Sequence, residues 1–138
     1  MQQQNPYLAN RPQDVYRKQA ILTASPSELI VMLYDGCRKQ LVFAKRAIEK
    51  NNMSEAHNCL MKAQDIVGYL VSCLDMKYEL SEQLLDIYEF VLVQLGEINI
   101  AKDAARIDPI VDIIGDLRGA WEDISHQQEK GRLELAEE

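Results

Sequence analysis

Ser25-Pro26-Ser27-Glu28-Leu29-Ile30-Val31-Met32-Leu33-Tyr34-Asp35-Gly36-Cys37 opens the first periodic segment of the chain and decides its class. Ser25 and Glu28 stand three apart as a capping box, in which serine and glutamate each satisfy an N–H that the first turn leaves unpaired. Pro26 falls at the first helical position, where its fixed φ suits the helix and its missing N–H costs nothing. From there Leu29, Leu33, Gly36, Cys37, Leu41, Ala44 and Ile48 recur at spacings of three and four. That pattern is one face of a helix running to about Lys50.

Further along, Asn51-Asn52 breaks the pattern, and Asn52 with Glu55 can cap a second helix. Its buried face is expected to carry Leu60, Ala63, Ile66, Val67, Leu70 and Leu74. A connection around Met76–Glu79 leads to a third helix with Leu80, Leu84, Ile87, Tyr88, Val91, Leu95 and Ile98. After residues 102–107, Asp108-Pro109 reads as the N-cap and first position of a fourth, with Ile110, Val111, Ile114, Leu117, Trp121 and Ile124 on one face. No alternating run of β-branched residues competes. The expectation is an all-α fold, an antiparallel up-and-down four-helix bundle with an N-terminal extension or short helix. Residues 1–25 read as a leader or cap segment, 26–129 as the bundle and 130–138 as a flexible charged tail.

The 138 residues suit one domain with a real core. With 22 acidic against 15 basic residues the net charge is -7, which disfavours phosphate backbones and nucleic acid. No stretch approaches the ~18 apolar residues that span a bilayer, and the polar opening lacks the core of a signal peptide, so a reducing cytoplasm is expected. Cys37, Cys59 and Cys73 are too widely spaced for a zinc site and read as buried, reduced thiols.

Catalytic patterns are missing. A bundle di-iron centre needs Glu-x-x-His motifs, and the sequence has none. Asp123-x-x-His126 is a lone fragment in a charged region. His57, beside Glu55, lacks the basic neighbours of a phosphorylated ring. No phosphate loop or nucleophile motif appears, so no catalytic residue, cofactor or metal is assigned. Gly36, Gly68, Gly96, Gly115 and Gly119 sit inside helices, each costing ~1 kcal/mol relative to alanine. They let helices approach one another or leave room for a partner's backbone; the sequence leaves both open. The leader carries Tyr7, Leu8, Val15, Tyr16, Ile21 and Leu22, either incidental to a polar tail or able to cover an apolar groove.

Three stretches then sharpen the reading: Asn5-Pro6-Tyr7; Tyr16 with Ile21-x-Thr23-Ala24-Ser25-Pro26-x-Glu28-Leu29; and Met32-Leu33-Tyr34-Asp35-Gly36. Together with Lys62-Ala63-Gln64-Asp65-Ile66, Leu80-Ser81 and Leu117-Arg118-x-Ala120-Trp121, the chain resembles the flagellin-specific export chaperone FliS family over about residues 5–125. The resemblance implies a cytoplasmic bundle that binds the C-terminal segment of flagellin, prevents premature polymerisation and keeps it competent for flagellar type III export. Export-gate components and other flagellar regulators would be further partners, with no membrane insertion. The residues expected to meet the partner are Tyr7, Tyr16, Ile21, Leu33, Tyr34 and Tyr69. Rival readings are a regulatory adaptor for other flagellar factors and a phosphotransfer bundle using His57. Three departures stand out: a longer Tyr7–Tyr16 spacing, Met76-Lys77-Tyr78-Glu79 in place of a glycine pair, and Val93-Gln94 in place of an arginine pair.

Overall fold

The structure is a computed structural model and describes residues 26–137, with side-chain surroundings through residue 127 and at 130 and 131. The leader, with Tyr7, Tyr16, Ile21 and the Ser25 cap, lies outside the described residues. Four helices follow: α1 (Pro26–Glu49), α2 (Met53–Ser72), α3 (Glu79–Ala101) and α4 (Ile107–Glu137), with a single 3-10 turn at Ala104–Arg106 before the last. No strand occurs among the described residues.

The α1–α2 junction shows how two adjacent asparagines divide the work. Asn51 adopts the left-handed conformation at φ 61°, which asparagine tolerates better than most residues. Its N–H reaches the Ile48 carbonyl at 2.9 Å, while the Asn52 N–H reaches Ala47 at 2.7 Å. This pair of bonds is a Schellman closure of α1. Asn52 then starts α2: its side-chain oxygen accepts from the Glu55 N–H at 3.2 Å, and its side-chain amide donates to the Glu55 carboxylate at 3.0 Å. Glu55 turns to that amide because the Asn52 backbone N–H is already used by α1.

The α2–α3 connection does without glycine. The Asp75 carboxylate accepts the Lys77 N–H at 3.0 Å, and the Asp75 carbonyl accepts the Ser81 hydroxyl at 2.6 Å and the Tyr78 N–H at 3.2 Å. No residue in it has positive φ, so the missing glycine pair has no backbone consequence.

Beyond α3, the structure departs from the expected cap. Lys102, at φ 51°, closes α3 through its N–H on Ile98, and its ammonium bonds the carbonyl and side-chain oxygen of Asn99. Asp103 caps the 3-10 turn through Ala105, and that turn runs straight into α4 at Ile107. Asp108 is therefore free to pair with Lys45 of α1 at 2.8 Å, and Pro109 sits in the first turn, where helix N–H groups have no partners anyway. At its far end α4 continues to Glu137, through the residues whose charge suggested a tail.

The core joins Leu33, Cys37, Leu41 and Ala44 of α1 to Leu60, Ala63, Ile66, Val67 and Leu70 of α2. Leu84, Tyr88, Val91, Leu95 and Ile98 of α3 and Ile107, Ile110 and Ile114 of α4 complete it. Most of the positions the three-and-four spacing picks out are here, with Leu29, Ile48, Leu74, Ile87, Val111, Leu117 and Trp121 packed at the edge of the core and Leu80 exposed at the start of α3; each large side chain buried contributes roughly 1.5–3 kcal/mol. Helix α1 packs on α2 and α4, and α2 on α3, whereas α3 and α4 meet over a much shorter stretch. The bundle therefore has one open side. No described helix is long and apolar enough to cross a membrane.

Candidate partner-binding groove

On that open side, α3 and α4 are tied at one end by Arg106. It bonds Gln94 at 3.1 Å and Glu97 at 2.6 Å. Past this tie the helices leave a groove of about 520 Å³ between Asp86, Ile87 and Phe90 on α3 and Ile113, Asp116 and Leu117 on α4. Four of the six are large apolar residues and the other two are carboxylates. Phe90 is 51% exposed, an uneconomical place for a phenylalanine unless something covers it. Covering its exposed half would contribute on the order of 2 kcal/mol to association. Ile87, Ile113 and Leu117 are half-buried and pack against the core below, so the groove floor is rigidly backed. Outside the groove, α3 also exposes Val93 (59%) and Ile100 (89%), so it is apolar around more of its circumference than its core contacts require.

The residues expected to face a partner divide three ways. Tyr34 and Leu33 are buried in the core. The Tyr34 hydroxyl lies 2.5 Å from that of Tyr88, and burial first, then this bond, pushes its pKa well above the ordinary phenol value, with a hydrogen bond from Trp121 acting the other way. In this arrangement neither residue offers surface to a partner. Tyr69 is exposed on α2 but does not line the groove. Tyr7, Tyr16 and Ile21 lie outside the described residues.

Two of the sequence motifs meet across α1 and α4. Asp35 accepts hydrogen bonds from the Arg118 guanidinium, which also reaches Glu122 at 2.6 Å. The Arg38 guanidinium lies against Gly115, about 3.5 Å from where a Cβ would stand. The Asp35–Arg118 pair thus fastens α4 to α1, along the seam next to the opening.

Phe90 and Ile113 lie off the periodic faces that the sequence picks out, whereas Ile87 and Leu117 lie on them and read as core. Phe90 falls off the stripe of Leu84, Tyr88, Val91, Leu95 and Ile98 yet is as apolar as any of them. Together with Ile87, three residues earlier, it marks a second apolar face, and that was the available signal.

Several titratable groups elsewhere are engaged or buried. The side-chain amide of Asn99 donates to His57 Nδ1 at 3.0 Å, so the ring bridges α2 to α3. Burial pushes the Cys37 thiol up to about 12 and raises Cys59 as well. Cys73, expected to be buried, is exposed at the end of α2, where the helix has run past its covered face. Among the described residues no three His, Cys, Asp or Glu side chains converge as metal ligands would.

Comparison with known proteins points one way. The family profile "Flagellar protein FliS" matches residues 8–128. The chain is 33% identical over 129 residues to the flagellar secretion chaperone FliS of Bacillus subtilis, covering 94% of this chain and 92% of that protein. It is 31% identical over 103 residues to the Vibrio cholerae chaperone of the same name, covering 73% of this chain and 76% of that one. A solved structure described as a flagellar chaperone from bacteria superimposes with a TM-score of 0.71 at 17% identity, covering 85% of this chain and 99% of that one, which supports the fold.

Proposed function

The chain belongs to the FliS family of flagellar secretion chaperones, and from that premise we propose that its client is the C-terminal segment of flagellin, received in the α3–α4 groove. As a member of a chaperone family it is not an enzyme, and its work in flagellar export is to hold rather than to transform. The observation that carries the client reading is the open apolar groove with Phe90 half exposed on a rigid floor. An amphipathic helix laid there would bury its apolar side chains against Ile87, Phe90, Ile113 and Leu117, and that gain would offset the cost of ordering an unfolded segment. Held in this way, the segment is kept from its polymerisation contacts and remains unfolded enough for export. The setting is the cytoplasm, before the export gate.

Tyr7, Tyr16 and Ile21 retain their proposed part as leader residues that meet the client or cover its groove, and Tyr69 that of an outlying contact on α2. Leu33 and Tyr34 support the groove from below, through the core.

A calorimetric titration with flagellin, whole and lacking its last ~40 residues, tests the reading, ~40 being enough for two or three short helices. Binding of the whole protein and loss of binding on truncation are expected. Equal heats from both would defeat it.

A further inference from the structure

We infer that the α3–α4 groove selects an amphipathic helix whose apolar stripe is flanked by lysine or arginine, and that Asp86 and Asp116 are the residues that read those flanks. This deepens the client-groove reading and rests on it. The starting point is the groove's lining: apart from its apolar floor it presents only these two carboxylates, one from each helix, both exposed. Basic residues are scarce on their own helices. Helix α3 carries Glu79, Glu82, Asp86, Glu89 and Glu97 and no lysine or arginine. In α4, Asp108, Asp112 and Asp116 precede the first basic residue, Arg118, which turns away to Asp35 and Glu122.

Two other acids of these helices are matched. Glu97 pairs with Arg106, and Asp108 with Lys45. Asp86 and Asp116 have no ion-pair partner among the described residues, so in the groove unpaired negative charge lies beside exposed apolar surface.

Carboxylates beside an apolar floor act on a docking helix in two ways. A basic residue at the edge of the client's apolar stripe gains an opposite charge as water is displaced from the groove. An acidic residue there meets like charge from both rims and is rejected. Selection of this kind comes as much from repelling the wrong helix as from attracting the right one. Each exposed pair is worth little alone, so two together should separate basic-flanked from acid-flanked helices by roughly tenfold in affinity. The difference should fade with salt, because the Debye length shortens to about 4 Å near 0.5 M.

The test uses two synthetic amphipathic peptides with one leucine stripe, flanked in one by lysine and in the other by glutamate. Fluorescence anisotropy against the full chain measures both affinities at low and high salt. The lysine peptide is expected to bind about tenfold more tightly, with the preference shrinking at high salt and reversing in the D86K/D116K variant. A preference that is missing, or that survives the charge reversal, overturns the inference. Phe90→Asp separates this failure from that of the underlying reading. If Phe90→Asp abolishes binding of both peptides while D86K/D116K leaves their ratio unchanged, the groove stands and its charge selectivity falls. If neither peptide binds the wild-type chain, or Phe90→Asp changes nothing, both fall. Circular dichroism on each variant checks that the exposed substitutions leave the bundle folded.

Discussion

Tyr34 and Tyr88 meet hydroxyl to hydroxyl in the core. Replacing one by phenylalanine leaves a buried hydroxyl with its best partner gone, at a cost of about 1–2 kcal/mol. Replacing both removes the orphan with the bond, so the double variant should cost clearly less than the two singles combined. Urea denaturation of the four proteins measures that coupling. The same pair sets a pH dependence. Because burial raises the Tyr34 pKa above its ordinary value near 10, the unfolded chain gives up this proton first as pH climbs. The stability this hydroxyl contributes is complete below about pH 10 and falls as pH rises beyond it. Stability of Tyr34→Phe should therefore fall less steeply between about pH 10 and 11 than that of the wild type. Cysteine reactivity is a separate check at this scale. In the native protein Cys73 should react with a thiol reagent at neutral pH well before Cys37 and Cys59, and all three should react together in denaturant. Prompt labelling of Cys37 in the folded chain would contradict the packing described.

Helix ends were legible where a local signal acted alone and illegible where a neighbour competed. Pro26 stands at the first position of α1, where its missing N–H costs nothing, and Asn52 opens α2 as its type requires, because it satisfies the first turn from within its own few residues. Asp108-Pro109 looked as good, yet Asp103 caps the preceding turn and Lys45, 63 residues earlier, takes the Asp108 carboxylate. Periodicity in the sequence could not reveal that partner. The Asn51 junction yields a prediction: Asn51→Ala should cost about 1 kcal/mol in thermal or urea unfolding, and Asn51→Gly close to nothing, since only left-handed tolerance separates them. Two helical glycines give the opposite sign. A Cβ at Gly68 or Gly119 meets nothing within 4 Å, so neither serves close helix packing. Alanine at either should stabilise the folded chain by about 0.5–1 kcal/mol. A loss of client binding without a loss of stability would show that a partner's backbone lies there.

Across the whole molecule, the core stripe of every helix could be read from spacing alone, because burial on one face imposes that spacing. The open side could not, since it depends on how α3 and α4 splay apart, and neither helix's own pattern encodes the distance between them. Tyr34 shows the same limit from the other direction: its place beside Asp35-Gly36 suggested a surface role, but Tyr88 and Trp121 close over it from helices distant in sequence. The bundle is closed by core packing and by the Asp35–Arg118 and Lys45–Asp108 pairs between α1 and α4, and left open beside Phe90 between α3 and α4. That division lets the client groove be altered without unfolding the protein. The most direct test is therefore calorimetric titration of whole flagellin into wild type and Phe90→Asp, with thermal unfolding of both chaperones recorded alongside. Binding weakened at least about tenfold, with a melting temperature within a few degrees of wild type, is the predicted result. Undiminished binding by a folded Phe90→Asp protein would contradict it.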